Sequence, residues 1–99
     1  MGSEKKFENR IKEFLKSQNC YYVKYFGCGF TKAGVPDLLC CVNGRFVAIE
    51  VKAEKGRVAP LQTYNIEQIK KANGIAIVLY PKDFENFKEL IKELKNDGI

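Results

Sequence analysis

The chain has no histidine, and this absence removes imidazole general bases and most catalytic triads. Its four cysteines, at 20, 28, 40 and 41, form no C-x-x-C pair, so with no histidine to help them they do not describe a zinc site. They read instead as reduced, mostly buried residues of an intracellular, cytoplasmic protein. No apolar run approaches the roughly 20 residues that span a bilayer, which excludes a membrane partner. The charged N-terminal stretch lacks the apolar core of a signal peptide. Repeats, low-complexity tracts and linkers are also missing. Two phosphate-binding patterns fail. Gly27-Cys28-Gly29 begins like a dinucleotide fingerprint, but Lys32 stands at the third glycine position, and Gly29-Phe30-Thr31-Lys32 lacks P-loop spacing.

What remains is a 99-residue chain with 45% hydrophobic and 12% aromatic residues, enough to exclude disorder and to build one small core. A single domain over 1–99 is expected. The net charge of +5 suits a phosphate-rich partner.

Hydrophobic periodicity predicts a first helix over 4–18, with Ser3 as N-cap and Phe7, Ile11, Phe14 and Leu15 on one face. Residues 20–26 are β-type. A glycine-punctuated loop carrying Lys32 follows, then strands over 37–42 and 45–52. Pro60 opens a helix that runs to Asn73, with Gly74 as its stop. The apolar run 75–80 predicts a strand buried on both faces and parallel to 45–52 through a right-handed crossover. A last helix over 83–96, capped by Asp83, presents Phe84, Phe87, Leu90, Ile91 and Leu94. The order α-β-β-β-α-β-α implies a mixed sheet flanked by helices, in the α/β to α+β range. Its core covers about residues 4–80, before the C-terminal helix.

The chemistry converges on the hairpin. Asn43-Gly44 between β-type residues is a two-residue turn signal, because a type I′ turn needs φ > 0 at both positions. That turn fixes the register: Val42 faces Arg45, Leu39 faces Ala48, and Asp37 faces Glu50. Two carboxylates then stand opposite each other with Cβ atoms about 5 Å apart, an unfavourable pair unless a cation lies between them. Alternation puts Lys52 on the same face, where the carboxylates keep it protonated. Two hard oxygen ligands and an ammonium at a strand end suit Mg²⁺ and phosphodiester hydrolysis.

Pro36-Asp37, Glu50-Val51-Lys52 after a hairpin, and Gln62 opening the next helix resemble the PD-(D/E)XK nuclease superfamily. The longer string Gly34-Val35-Pro36-Asp37-Leu38, Phe46-Val47-Ala48-Ile49-Glu50-Val51-Lys52 and Pro60-Leu61-Gln62 resembles its VRR-NUC branch, over roughly residues 8–80. The resemblance implies a restriction-endonuclease-like αβββαβ core and a metal-dependent DNA endonuclease. It implies Asp37, Glu50 and the Val51 backbone carbonyl as ligands of Mg²⁺, with Mn²⁺ as a substitute, and Lys52 as the catalytic lysine. A first-helix glutamate would complete the site: Glu8, with Glu4 as the alternative. Gln62 would position water or lysine. Stand-alone members resemble virus-encoded junction-resolving homodimers, so branched DNA and a homodimer are expected. Lys32, Lys55 and Arg57 are the expected phosphate contacts. Tyr21, Tyr22, Tyr25 and Phe26 are expected to pack in the core or a dimer surface rather than stack on bases. A nicking or restriction-type duplex nuclease, and a non-catalytic binding module on the same scaffold, are the alternatives.

Overall fold

The computed structural model describes residues 2–96; residue 1 and residues 97–99 of the expected 1–99 domain lie outside it. Helix α1 spans Ser3–Ser17, one residue earlier than the sequence pattern suggests. Its N-cap is Gly2, whose carbonyl accepts the Lys6 N–H, so Ser3 lies inside the first turn and does not cap. The helix closes with Asn19 in the left-handed region and the Cys20 N–H donating to the Leu15 carbonyl. This is a Schellman closure.

Four strands follow in chain order across one sheet: β1 (Tyr21–Lys24), β2 (Leu38–Val42), β3 (Arg45–Val51) and β4 (Ile75–Leu79). Strands β1–β2 and β2–β3 are antiparallel, and β3–β4 is the expected parallel pair. The result is a mixed sheet with flanking helices, an α+β fold. Asn43 (φ 51°) and Gly44 (φ 82°) both take positive φ, and Val42 pairs with Arg45, as a two-residue turn requires.

Helix α2 spans Pro60–Lys71. It ends on Asn73 at φ 68° with the Gly74 N–H on the Ile69 carbonyl. The left-handed residue is therefore Asn73, and Gly74 is the residue after it. Gly74 is still required, because a Cβ there would meet Ile69 Cγ2 at 2.8 Å. A 3₁₀ turn over Pro81–Asp83 leads into helix α3, Phe84–Asn96. Asp83 thus belongs to the turn.

The two faces of the sheet are covered unequally. Helices α1 and α3 pack Phe7, Ile11, Leu15, Phe84, Phe87 and Ile91 against Leu38, Cys40, Val47, Ile49 and Val51. On the other face α2 lies over β3 and β4 through Ile66, with Ala48 and Ala76 beneath it. Strand β3 is therefore buried on both faces, Glu50 included. Strand β4 is only partly so, because it is an edge strand. Among the described residues no helix lies over the β1–β2 part of the α2 face: Tyr21, Val23, Cys41 and Phe46 are exposed there. All four cysteines are free. Only Cys40 is buried, Cys20 is half-buried, and Cys28 and Cys41 are exposed, because they fall on a loop and on the uncovered face.

Gly34 ties the loop before β2 to α2. It has φ +79°, and a Cβ there would sit 2.7 Å from the Leu61 carbonyl oxygen and 2.8 Å from Asn65 Nδ2. Gly44 has similar φ but open space around it. Both lose from an added side chain, and Gly34 alone also clashes. Urea denaturation should therefore show Gly34→Ala destabilised by about 2–4 kcal/mol and Gly44→Ala by about 1 kcal/mol; equal costs would refute the close approach to α2.

Candidate active site

The β2–β3 ladder runs in the expected register from Val42–Arg45 to Leu38–Ile49. One step further, Asp37 leaves the ladder. Its carbonyl accepts the Tyr25 N–H at 2.8 Å, and its carboxylate oxygen Oδ2 accepts the Val51 N–H at 2.8 Å. The residue is thus held by backbone on both sides: its main chain by Tyr25, just past β1, and its side chain by Val51 of β3. The loop that delivers it is held by Asn65, a buried side chain that donates to the carbonyls of Ala33 and Leu61.

Glu50 follows Ile49 on β3, on the α2 face beside Ala48, and is 3% exposed. Helix α2 brings Gln62 to it. Gln62 Oε1 accepts the Ala59 N–H at 2.9 Å, which caps the start of α2 and turns the amide nitrogen inward. That nitrogen donates to Glu50 Oε2 at 3.0 Å. Lys52 Nζ lies 3.4 Å from the same oxygen, on the same face, as alternation requires. The Lys52 stem is packed by the loop over 53–59: a Cβ on Gly56 would meet Lys52 Cβ and Cδ at 3.2 Å, and the Tyr80 hydroxyl donates to the Gly56 carbonyl. Glu50 Oε1 is buried and has no hydrogen-bond partner among the described residues.

Burial, together with the charge and contact of Asp37, pushes the Glu50 carboxyl up to about 7 against the weaker pull of Lys52. Glu8 behaves in the opposite way. Burial alone would raise it, but the ammonium groups of Lys24 and Lys12 outweigh that and hold it below the ordinary carboxylate range.

The structure therefore gathers Asp37, Glu50, Val51, Lys52 and Gln62 into one cluster. Glu8 reaches that cluster only through a residue the sequence reading passed over. Lys24 Nζ lies 2.7 Å from Glu8 Oε1 and 3.4 Å from Asp37 Oδ1. The one sequence signal for it was weak: Lys24 is the cation in a strand of otherwise uncharged residues. Asn65 gave no signal in the sequence. Lys32, Lys55 and Arg57 are exposed on the loops over 27–37 and 52–59, outside the cluster. Glu4 is exposed in the first turn of α1. Tyr22 and Tyr25 are half-buried, while Tyr21 and Phe26 are exposed. Among the described residues no three histidine, cysteine or acidic side chains are close enough to hold a metal ion by themselves. Nor is any helix long and apolar enough to cross a membrane.

A folded pKa raised above the ordinary carboxylate value means that the fold favours protonated Glu50. Its contribution is full below the ordinary value of 4.5 and is lost as pH rises through about 7. With chelator present, the wild type should lose about 1 kcal/mol of stability between pH 6 and pH 8, and Glu50→Gln should remove most of that slope. Thermal melts at the two pH values check this; an unchanged slope in Glu50→Gln would assign it to another group.

No curated protein matches the chain. The family comparison does match. The model of the VRR-NUC domain, a nuclease-type domain, aligns with residues 9–83. That span contains Asp37, Glu50, Lys52 and Gln62 in the order and on the elements just described, and it begins one residue after Glu8. Well over half of the sequence is covered, and the chain belongs to the VRR-NUC domain family.

Proposed function

We propose that this nuclease-family chain is a metal-dependent endodeoxyribonuclease that hydrolyses phosphodiester bonds in four-way DNA junctions as a homodimer. One observation carries the catalytic part: a buried Glu50 carboxylate with an unpartnered oxygen, lying against Asp37 and flanked by Lys52 and Gln62. An orphaned buried carboxylate oxygen is costly, and a hard divalent cation is the ligand that would relieve it. The donor set fits Mg²⁺ or Mn²⁺: Asp37, Glu50 and the Val51 carbonyl would hold it, with water completing the shell. When bound, the ion supplies Lewis acidity at the phosphoryl oxygen.

The chain's own groups do the rest. Val51 N–H and Gln62 fix the two carboxylates, so neither has to reorganise during the reaction. Lys52 carries positive charge to the side where the phosphoryl group gains negative charge, and it orients the attacking water. Glu8 completes the acidic end of the site through Lys24. Lys32, Lys55 and Arg57 are free to grip phosphates beside the scissile bond, in keeping with the +5 net charge.

The dimer reading has support from the uncovered face of the sheet. Tyr21, Val23, Leu39, Cys41 and Phe46 line an apolar groove of about 310 Å³, with Tyr21 71% and Phe46 45% exposed. An apolar patch of this kind on a small domain marks an interaction surface.

Purified protein with Mg²⁺ or Mn²⁺ should cut a four-way junction symmetrically and leave a matched linear duplex intact. Asp37→Ala, Glu50→Ala and Lys52→Ala should each lower cleavage by about 10³-fold or more. Glu50→Ala should bind DNA as well as the wild type or better, because a carboxylate that repels phosphate is gone. Cleavage of both substrates would keep the site and remove the junction selectivity; a gel shift without cutting would leave a binding module. Tyr21→Glu with Val23→Glu should turn the dimer into a monomer in light scattering while circular dichroism still shows the folded chain, since neither side chain is buried within the single chain. An unchanged mass would remove this face from the interface.

A further inference from the structure

The two oxygens of Asp37 are in different situations. Oδ2 accepts the Val51 N–H, whereas Oδ1 has no backbone partner and lies 3.4 Å from Lys24 Nζ. The same ammonium sits 2.7 Å from Glu8 Oε1. Lys24 arrives there for a topological reason. In the β1–β2 ladder it pairs with Leu38, the residue after Asp37. Alternation sends Lys24 and Tyr22 to the α1 face, where Tyr22 joins the core and Lys24 meets Glu8.

Glu8 is already well supplied with positive charge. Its second oxygen is 3.0 Å from Lys12 Nζ and 3.8 Å from that of Lys5. It does not need Lys24 for neutralisation alone. Asp37, by contrast, has Lys24 as its ion-pair partner, at the longer distance. Lys24 stands between the two carboxylates and is within ion-pair distance of both. A cation supplied by the chain thus stands on the Asp37 oxygen that the Val51 N–H leaves open.

We propose that Lys24 is the resident counter-ion of the metal-free site: it links α1 to the strand-end aspartate and competes with a divalent cation for Asp37 Oδ1. This rests on the metal-site reading above and adds a residue to it. The shorter contact is to Glu8, so the contact to Asp37 is the one that yields. Glu8 then keeps the displaced ammonium tethered beside the site. Glu8 and Lys24 are in this sense positioning residues. Together they keep the folded site neutral enough to exist without metal, at the expense of metal affinity.

Calorimetric titration of Mn²⁺ into wild type, Lys24→Met and Lys12→Met, with no DNA present, tests the competition. Lys24→Met removes the charge and keeps the stem, and should bind Mn²⁺ roughly tenfold tighter. Lys12→Met removes an ammonium from Glu8 without touching Asp37, and should stay near the wild type. The metal-free Lys24→Met protein should melt lower than the wild type and gain more from Mn²⁺. Equal or weaker affinity in Lys24→Met, or equal tightening in Lys12→Met, overturns the inference and leaves the metal site standing. No binding by any of the three proteins overturns both readings. A measurement on the wild type guards against a variant that does not fold. Saturating Mg²⁺ should shift the Lys24 side-chain ammonium resonance while that of Lys70, paired on the surface with Glu67, stays put. An unmoved Lys24 signal overturns the inference.

Discussion

Two carboxylates that repel each other are brought to one end of a hairpin because its turn allows no other register. Positive φ at Asn43 and Gly44 closes the β2–β3 connection in two residues. Every cross-strand partner follows from that closure, down to Leu38 opposite Ile49. A slip of one residue would move Glu50 from the α2 face to the side that holds Val47, Ile49 and Val51, and would carry those three out of the core. The apolar face of β3 and the acidic end of the site are thus enforced by one constraint. The hydrophobic core holds the carboxylates together against their mutual repulsion. The energies favour this: burying one such aliphatic side chain contributes about 1.5–3 kcal/mol, and β3 buries three on one face.

The cost of that arrangement is met locally by cations from three different elements. Lys52 comes from just past β3, Lys24 from β1 and Lys12 from α1. Each carboxylate has at least one ammonium within 3.4 Å; Asp37 and Glu50 have equal contacts of 3.4 Å, and Glu50, the more buried of that pair, has the raised pKa. The asymmetry between Glu8 and Glu50 follows. Both are 3% exposed. Glu8 has two close ammonium partners and is held ionised, while Glu50 has one and faces another carboxylate. Burial raises both acids; at Glu8 two ammonium groups outweigh it, and at Glu50 a neighbouring carboxylate adds to it.

The hairpin, the parallel β3–β4 pair and the placing of Asp37, Glu50 and Lys52 on one face were legible because each depends on local signals: a turn dipeptide, alternation, a crossover rule; Gln62 came from the family resemblance. Other features depend on what the chain meets in space. Lys24 reads as an ordinary strand lysine until the β1–β2 register sets it beside Asp37, and β1 has no two-residue turn to announce that register. It is joined to β2 by the loop over 25–37. Asn65 reads as a polar residue in mid-helix until Gly34 brings a backbone carbonyl against it. The helix ends show the same limit on a smaller scale. Gly2 starts α1 in place of Ser3, and Asn73 rather than Gly74 takes the left-handed position after α2, because hydrogen bonds from the N–H groups of Lys6 and Gly74 decide between neighbouring residues of similar propensity.

Helix α2 explains why the site and the open face of the sheet occur together. To bring Gln62 within 3.0 Å of Glu50, α2 has to lie close over β3 and β4. Ala48 and Ala76 beneath it, and Gly34 beside Leu61, are the small residues that permit this approach. A helix of twelve residues settled there has no reach left for β1 and β2. Tyr21, Val23 and Phe46 are left in water for that reason. A longer or shifted α2 would cover the apolar strands and pull the glutamine off Glu50. The exposed face is therefore the structural counterpart of a well-oriented carboxylate, and a second subunit seated there would supply the cover that this chain's own helix cannot.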